Sequence, residues 1–292
     1  MAATAAVSLE WRTARGRVPL DRPVVVGILN VTPDSFWDRG RHADVDAAVR
    51  HAGRLLEEGA DVLDVGGEST RPGAAPVDVR AESARVVPVI EAVARRWPAA
   101  VLAVDTVKAE VARAALGAGA AIVNDVSGLR LDEELAAVAA AHQAGIILMH
   151  SRGDVATMAR YDLAEYDGDC VPVVAAELGQ AISRAHTAGI PDEAIVIDPG
   201  LGFSKRTEHS LALLAGLHRL LEPGLPVLIG PSRKRFIGDA LGGAPAEDRL
   251  EGTLAACVAG LLLGARLFRV HDVAAARRAL DVAEAIRRAG TG

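Results

Sequence analysis

The amino-acid sequence predicts an α/β protein, a (β/α)₈ barrel that forms a single domain. Short apolar runs rich in Val, Ile and Leu alternate with helical patterns rich in Ala, Leu, Arg and Glu, and eight such runs occur along the 292 residues. The runs are continuous rather than alternating, which is typical of parallel strands buried on both faces. No change of composition marks a second domain. A doubly wound open sheet is the alternative fold that the same order of elements allows.

Each apolar run is a predicted strand, and a helical pattern follows it. In chain order the predicted strands span residues 24–29, 61–65, 100–104, 120–124, 145–149, 194–198, 226–230 and 266–270. The longest irregular stretch, residues 150–168, is predicted to be a loop after the fifth strand. The barrel domain is expected to cover residues 21–292, with residues 1–20 as an N-terminal extension.

Glycine is expected to end several helices just before the next strand, because it adopts the left-handed conformation without steric cost. The glycines in such positions are Gly59, Gly119, Gly145 and Gly264.

The composition restricts the classes of function. The formal net charge of -6 gives no reason to expect binding to nucleic acid or to a membrane surface. No run approaches the ~20 apolar residues of a membrane span, and the N-terminus lacks the pattern of a secretory signal. The two cysteines, Cys170 and Cys257, are far apart in sequence and lack metal-type spacing. We therefore expect a cytoplasmic protein without a disulfide framework.

Polar residues follow every predicted strand. In a (β/α)₈ barrel the carboxyl ends of the strands form the active-site face. Each of these residues alone could be a helix cap or part of a turn, but eight occurrences at one face predict a site. In strand order they are Asn30 and Asp34, Asp64, Glu68 and Arg71, Asp105, Asn124 and Asp125, His150, Asp198 and Lys205, Arg233 to Arg235, and Arg269 and His271.

The residue types at these strand ends indicate two kinds of binding. Asp105, Asn124 and Asp198 can meet a flat ligand edge rich in N–H donors, as in guanidine-like heterocycles such as pterins. Met149 could form an apolar floor under such a ring or could be a core residue.

The cationic residues are predicted to converge on an anion near the eighth, first and second strands, and a diphosphate would suit them. They are Arg71, Lys234, Arg269 and His271. Asn30 is a possible oxygen ligand for Mg²⁺ beside that anion. The histidines show no spacing typical of a catalytic zinc site, and the Gly-rich segment 198–205 is not a Walker loop.

Six motifs occur in one order along the chain: NVTPDSF, DVGGESTRPG, NDVSG, DPGLGFSK, SRKRF and RVHD. Together they resemble the dihydropteroate synthases, the sulfonamide-target enzymes of folate synthesis, over roughly residues 23–289. The resemblance implies an eight-stranded barrel, a homodimer and a transferase. It implies that 6-hydroxymethyl-7,8-dihydropterin diphosphate condenses with para-aminobenzoate, with Mg²⁺, to give 7,8-dihydropteroate and diphosphate.

The resemblance also implies roles for residues that match its motifs. The pterin would be held by Asp105, Asn124, Asp198 and Lys234, with Met149 packing near it. The diphosphate end would be served by Thr70, Arg71, Arg269 and His271, and by Asn30 through the metal. The aminobenzoate would lie among Phe36, Pro72, Phe203 and Ser232. Asp34 and Asp38 belong to the first loop, which closes during catalysis in that family. The implied catalytic residues are Asp105, Lys234, Asp38 and Arg71.

The chain departs from the family pattern in the first loop, which reads SFWDRG where SFSDGG is common. Trp37 could add to a lid or lie outside, and Arg39 could contact the diphosphate or point into solvent. Two other functions stay open: a corrinoid-dependent, pterin-binding methyltransferase and a non-catalytic pterin-binding paralogue. The SRKR and STRPG segments favour the synthase. For a dimer contact, the apolar helix at 250–265 is a candidate, although a buried barrel helix would explain it equally well.

Overall fold

The computed structural model describes residues 10–32, 41–70 and 75–290. Ten strands lie in this part of the chain. They are β1 (Glu10–Thr13), β2 (Gly16–Pro19), β3 (Val24–Asn30), β4 (Val62–Gly66), β5 (Val101–Asp105), β6 (Ile122–Asp125), β7 (Gly145–Met149), β8 (Ile195–Asp198), β9 (Leu228–Ile229) and β10 (Leu267–Val270). Strands β3 to β10 coincide with the eight predicted strands, with ends that differ by two residues or fewer.

The eight strands form one parallel sheet that curls into a barrel. Neighbouring strands follow the chain order from β3 to β8, and β10 pairs with both β3 and β9. A parallel bridge between Ile197 and Val227 joins β8 to the residues just before β9 and so brings the two edges together. A doubly wound sheet would reverse its strand order at one point, and this sheet does not. The barrel prediction is confirmed.

Helices cover the outside of the barrel. They are α1 (Arg41–Glu57), α2 (Val79–Arg96), α3 (Ala109–Ala118), α4 (Leu135–Ala141), α5 (Cys170–Thr187), α6 (Thr207–Ala215), α7 (Leu217–Leu220), α8 (Arg235–Ala240), α9 (Leu250–Leu262) and α10 (Val273–Ala289). The predicted loop at 150–168 contains one short 3₁₀ turn, Tyr161–Leu163. In the described part of the chain, no helix combines the length and the apolarity that crossing a membrane requires.

The inward faces of the strands form an apolar layer below a polar one. Apolar side chains such as Val62, Ile122 and Leu267 pack together at the lower end of the barrel. Since side chains alternate across a strand, residues two positions further along also point inward. These residues lie closer to the carboxyl ends of their strands, and they are Asp64, Asn124 and Arg269. The pleat of the strands therefore places polar side chains at the upper mouth.

The hairpin of β1 and β2 covers the lower end of the barrel. Trp11 is fully buried, packs in the same cluster as the lower apolar layer, and donates its indole N–H to the carbonyl of Ala194 at 2.9 Å. Residues 10–19, which the sequence alone left without a role, thus form part of the core.

The predicted helix-ending glycines are right in three positions and wrong in one. Gly59, Gly119 and Gly264 have φ values of 97°, 120° and 108°. Gly145 instead begins β7, and the left-handed residue before that strand is Gln143, with φ of 52°. At Gly145 an added Cβ would lie 3.0 Å from the Arg12 carbonyl oxygen and 3.2 Å from the ring of Trp11. A small residue is therefore needed there for close approach of the hairpin, not for a turn.

Candidate active site

Four side chains from four strands form a hydrogen-bonded network at the barrel mouth. The Oδ2 atom of Asp64 accepts from Asn124 Nδ2 at 2.9 Å and from Arg269 Nε at 2.5 Å. Arg269 Nη2 donates to Asp105 Oδ2 at 2.7 Å. The strands that carry these residues are distant in sequence, and the curvature of the sheet brings their ends together.

The electrostatics of this network are dominated by burial. Burial raises the pKa of Asp105 to about 7, although the charge of Arg269 opposes the shift; the charge of Asp64 adds to it. Burial alone would lower the pKa of Arg269. The negative charges of Asp64 and Asp105 outweigh that effect and raise the pKa of the guanidinium above its ordinary value. The arginine therefore stays charged, while Asp105 can exchange a proton near neutral pH.

Asp198 and Lys234 lie on the opposite side of the mouth, at the end of β8 and before α8. Asp198 Oδ1 accepts from the backbone N–H of Gly200 at 2.7 Å. Burial raises the pKa of Asp198 to about 6, against that hydrogen bond and the charge of Lys234. Burial, together with Arg269, lowers the pKa of Lys234 to about 7. The Nζ atom of Lys234 lies 3.6 Å from the centre of the Phe203 ring.

Behind this side of the mouth, a buried lysine joins two loops. Lys205 Nζ contacts His150 Nδ1 at 2.7 Å and donates to the carbonyl of Phe203 at 2.9 Å. His150 Nε2 in turn lies 2.9 Å from Glu177 Oε2 on α5. Burial and the charge of Lys205 lower the pKa of His150 to about 4, so the imidazole is neutral near pH 7. Met149 packs beside this network, against Val107, Val126 and Met158.

The remaining basic residues at the strand ends point in two directions. His271 Nδ1 lies 3.0 Å from Ser232 Oγ, and the backbone N–H of His271 donates to the same oxygen at 3.2 Å. Burial, Arg269 and Arg233 lower the pKa of His271 to about 4. Arg233 is exposed and forms a two-point ion pair with Asp272, at 2.7 and 3.0 Å. Arg235 stacks on the Tyr161 ring. Of the basic trio, only Lys234 therefore faces the mouth.

Asn30 ends β3 and is half-buried beside the network. An added Cβ at Gly66 would lie 3.7 Å from Asn30 Oδ1 and 3.6 Å from Asp105 Oδ2, so both oxygens border the space above Gly66. Thr70 is half-buried after β4. Several sequence-predicted residues lie outside the described residues, and they are Asp34, Phe36, Trp37, Asp38, Arg39, Arg71 and Pro72.

Sequence reasoning assigned no function to two groups of residues near the mouth. Asp64 lies two residues before the end of β4; the sequence marked it as a polar residue of this strand but gave it no role, although its inward-facing position in the strand is the signal that points to the network. Glu68 accepts from the Val77 N–H at 2.7 Å and pairs with Lys108 Nζ at 2.7 Å. Lys108 also pairs with the fully buried Glu82. This second group holds the start of the loop after β4 in place.

The sequence has clear relatives among known proteins. The sequence pattern of the pterin-binding enzymes matches residues 26–271. The dihydropteroate synthase of Escherichia coli (strain K12) is 44% identical over 268 residues, which cover 91% of this chain and 92% of that protein. The chain belongs to the dihydropteroate synthase family. The predicted function, a transferase of folate biosynthesis, is confirmed.

Solved structures agree with this assignment. The dihydropteroate synthase of Xanthomonas albilineans with 4-aminobenzoic acid is similar with a TM-score of 0.88 and 47% identity, over 96% of this chain and 98% of that one. The Yersinia pestis dihydropteroate synthase in complex with a sulfonamide drug has a TM-score of 0.87 and 40% identity, over 96% and 99% of the two chains. These synthases share the barrel, and they favour the synthase over the methyltransferase alternative.

Proposed function

We propose that the barrel mouth condenses 6-hydroxymethyl-7,8-dihydropterin diphosphate with para-aminobenzoate and releases diphosphate. The observation that carries this proposal is the layout of the mouth: acceptor side chains at the ends of β5, β6 and β8 lie beside the basic side chains of Lys234 and Arg269. A ligand with an N–H-rich ring and an anionic tail matches that layout in shape and charge.

The pterin end is assigned to Asp105, Asn124 and Asp198. Burial makes the ionised forms of the two aspartates costly, as their raised pKa values indicate. Ring N–H donors would stabilise these carboxylates by hydrogen bonds. Ligand binding would therefore offset part of the free-energy cost of ionising the buried aspartates. Met149 packs near this region and would supply an apolar contact to the ring.

The diphosphate end is assigned to Arg269, His271 and Thr70, together with Arg71 from outside the described residues. Arg269 uses Nε and one Nη2 hydrogen for Asp64 and Asp105, and its remaining N–H groups make no hydrogen bond to the described residues. Those donors are available to a phosphate oxygen. Because His271 is neutral near pH 7, it would act as a hydrogen-bonding group rather than a full charge until an anion arrives.

Mg²⁺ is proposed at Asn30. Asn30 Oδ1 and Asp105 Oδ2 border the space above Gly66. Such a site suits Mg²⁺, which prefers oxygen ligands and often takes one protein group plus phosphate oxygens. Asn30 would hold the ion against the diphosphate. When bound, the ion would offset the negative charge that develops on the leaving diphosphate.

The chemistry follows from what these residues can stabilise. The bond between the pterin CH₂ and the diphosphate oxygen breaks, and its electron pair leaves with the diphosphate. The positive charge on the CH₂ spreads over the electron-rich ring, where the carboxylate of Asp105 stabilises it. The lone pair of the aniline nitrogen then forms the new C–N bond, and that nitrogen loses a proton. A neutral aniline needs no strong base, so orientation is the main requirement.

The aminobenzoate is assigned to the space beside Phe203 and Ser232, with Phe36 and Pro72 from outside the described residues. Phe203 is held by Lys234 over its ring and by Lys205 at its carbonyl. Sulfonamides are expected to compete with para-aminobenzoate for this space.

A homodimer is proposed through α9 and α10. A groove of about 550 Å³ lies between these helices, lined by Leu254, Val258, Leu262, Val282 and Ile286. Leu262, Val282 and Ile286 are 55%, 62% and 65% exposed, which is unusual for side chains of this type. A second copy of the chain would cover them by a two-fold contact. Ile286→Asp should shift the protein to a monomer in sedimentation experiments, and an unchanged dimer would contradict this contact.

We place the protein in the cytoplasm, because both cysteines are free and buried, as expected in a reducing compartment. The decisive test of the proposed reaction is product formation by the purified chain from both substrates, with Mg²⁺ and with a chelator, followed by diphosphate release. Metal-dependent dihydropteroate supports the proposal. Retained pterin binding without product would indicate a non-catalytic paralogue. Equal turnover with and without the chelator would show that the reaction does not require Mg²⁺.

A further inference from the structure

Asp64 is a buried carboxylate below the proposed pterin site, and the proposed reaction gives it no role. It lies inside the barrel on β4, with no exposed surface. Its Oδ2 atom accepts both hydrogen bonds described above, from Asn124 and from Arg269. Its Oδ1 atom is buried without a hydrogen-bond partner among the described residues. A purely structural residue at this place, directly above an apolar layer, would be less costly as a hydrophobe.

The bond to Asp64 determines which end of the Asn124 amide faces the ligand. Asp64 Oδ2 accepts from Arg269 Nε, and Asn124 turns its NH₂ group rather than its oxygen to the same atom. The Asn124 side chain makes no other hydrogen bond to the described residues. Its Oδ1 atom is therefore presented as an acceptor, and without Asp64 the amide could turn and present a donor instead.

The Oδ2 atom of Asp64 also determines the position of Arg269. The guanidinium is held at Nε by Asp64 and at Nη2 by Asp105, at 2.5 and 2.7 Å. Two carboxylates on neighbouring strands thus fix the plane of the guanidinium across the mouth. Loss of Asp64 would leave one of these two points of attachment.

We infer that Asp64 is a positioning residue that turns Asn124 into an obligatory acceptor for a ring N–H of the pterin and aligns Arg269 beside it. This inference rests on the proposed binding of a pterin at Asp105, Asn124 and Asp198. Asp64 does not touch the substrate; it selects among ring edges by presenting acceptors and excluding a donor at Asn124.

The test compares Asp64→Leu, which removes the acceptor, with Asp64→Asn, which keeps an acceptor oxygen. Binding of 6-hydroxymethyl-7,8-dihydropterin is measured by calorimetry, and KM is measured for each substrate. Asp64→Leu should weaken pterin binding at least about 30-fold, since it frees the Asn124 amide and leaves its donors unpaired. Asp64→Asn should stay within about 5-fold of the wild type. The KM for para-aminobenzoate should change little in either variant.

Asp125→Asn is the matched control. Asp125 is equally buried at the end of β6, but it accepts from Ser127 and from the backbone N–H of Leu129, which have no assigned contact with the ligand. Asp125→Asn should leave the pterin affinity unchanged, and thermal unfolding checks that this variant is folded. If Asp64→Leu folds and binds pterin within 2-fold of the wild type, or if Asp125→Asn weakens pterin binding as much, the positioning role is overturned. Absence of pterin binding by the wild type would instead count against the proposed function.

If Asp64→Leu does not fold, two variants of unchanged volume decide the question. Asn124→Asp places two carboxylates side by side and should weaken pterin binding by at least about 10-fold. The exchange Asp64→Asn with Asn124→Asp restores a donor and an acceptor between the two positions and keeps an acceptor toward the ligand. The exchange should therefore recover part of the affinity. An exchange variant no better than Asn124→Asp alone would refute the inference.

Discussion

Asp198→Asn should make the protein more stable while removing pterin binding. Burial raises the pKa of Asp198 from 3.8 to about 6 in the folded protein, so folding disfavours the ionised form. This penalty is absent below pH 4, grows between pH 4 and 6, and is fully present above pH 6. A shift of this size corresponds to roughly 3 kcal/mol at pH 7.5. Asparagine is neutral and keeps an oxygen for the N–H of Gly200.

The free energy of unfolding of Asp198→Asn should therefore exceed that of the wild type by up to about 3 kcal/mol at pH 7.5, and the difference should vanish near pH 4. Denaturant unfolding at both pH values measures it, and calorimetry measures loss of pterin binding. Asp169→Asn is the control, because Asp169 caps α5 on the surface and pairs with Arg219, which lowers its pKa. This control should lose stability at pH 7.5. A variant Asp198→Asn that is no more stable than the wild type at pH 7.5, or equally stabilised at pH 4, would refute the reasoning.

Three further changes have distinct expected outcomes. Arg269→Ala should weaken diphosphate-bearing pterins at least about 10-fold more than free pterins in calorimetry, and equal losses would contradict the anion assignment. For Lys205, burial lowers the pKa from 10.5 to about 7, so the unfolded chain binds more protons between these values and the lysine makes stability rise with pH there. Lys205→Met should lose that rise in denaturant unfolding between pH 7 and 10; an unchanged slope would show that burial does not lower the pKa of the lysine. Trp11→Ala should lower the free energy of unfolding by about 3–5 kcal/mol by opening the lower end of the barrel, with turnover at 25 °C retained. A loss below about 1 kcal/mol would show that the hairpin is not part of the core.

The sequence by itself determined the architecture and most of the proposed site. Eight apolar runs with helical patterns between them leave few topologies, because a buried parallel strand needs continuous apolar residues and a crossover helix. The polar residues at the strand ends then follow from the pleat. Asp105, Asn124 and Asp198 each lie two residues beyond an inward apolar residue, so local periodicity alone turns them to the mouth.

The tertiary structure decided which of these groups meet, because contacts across a barrel depend on its closure and not on sequence spacing. Arg269 pairs with Asp64, 205 residues away. Lys205 and His150 meet across two loops. Arg233 turns outward to Asp272 although its neighbour Lys234 faces the mouth. The hairpin at residues 10–19 becomes part of the core only because the lower opening of the barrel accepts Trp11. The hydrophobic pattern places each side chain on one face of its strand, whereas burial and partner charges arise only when the strands close.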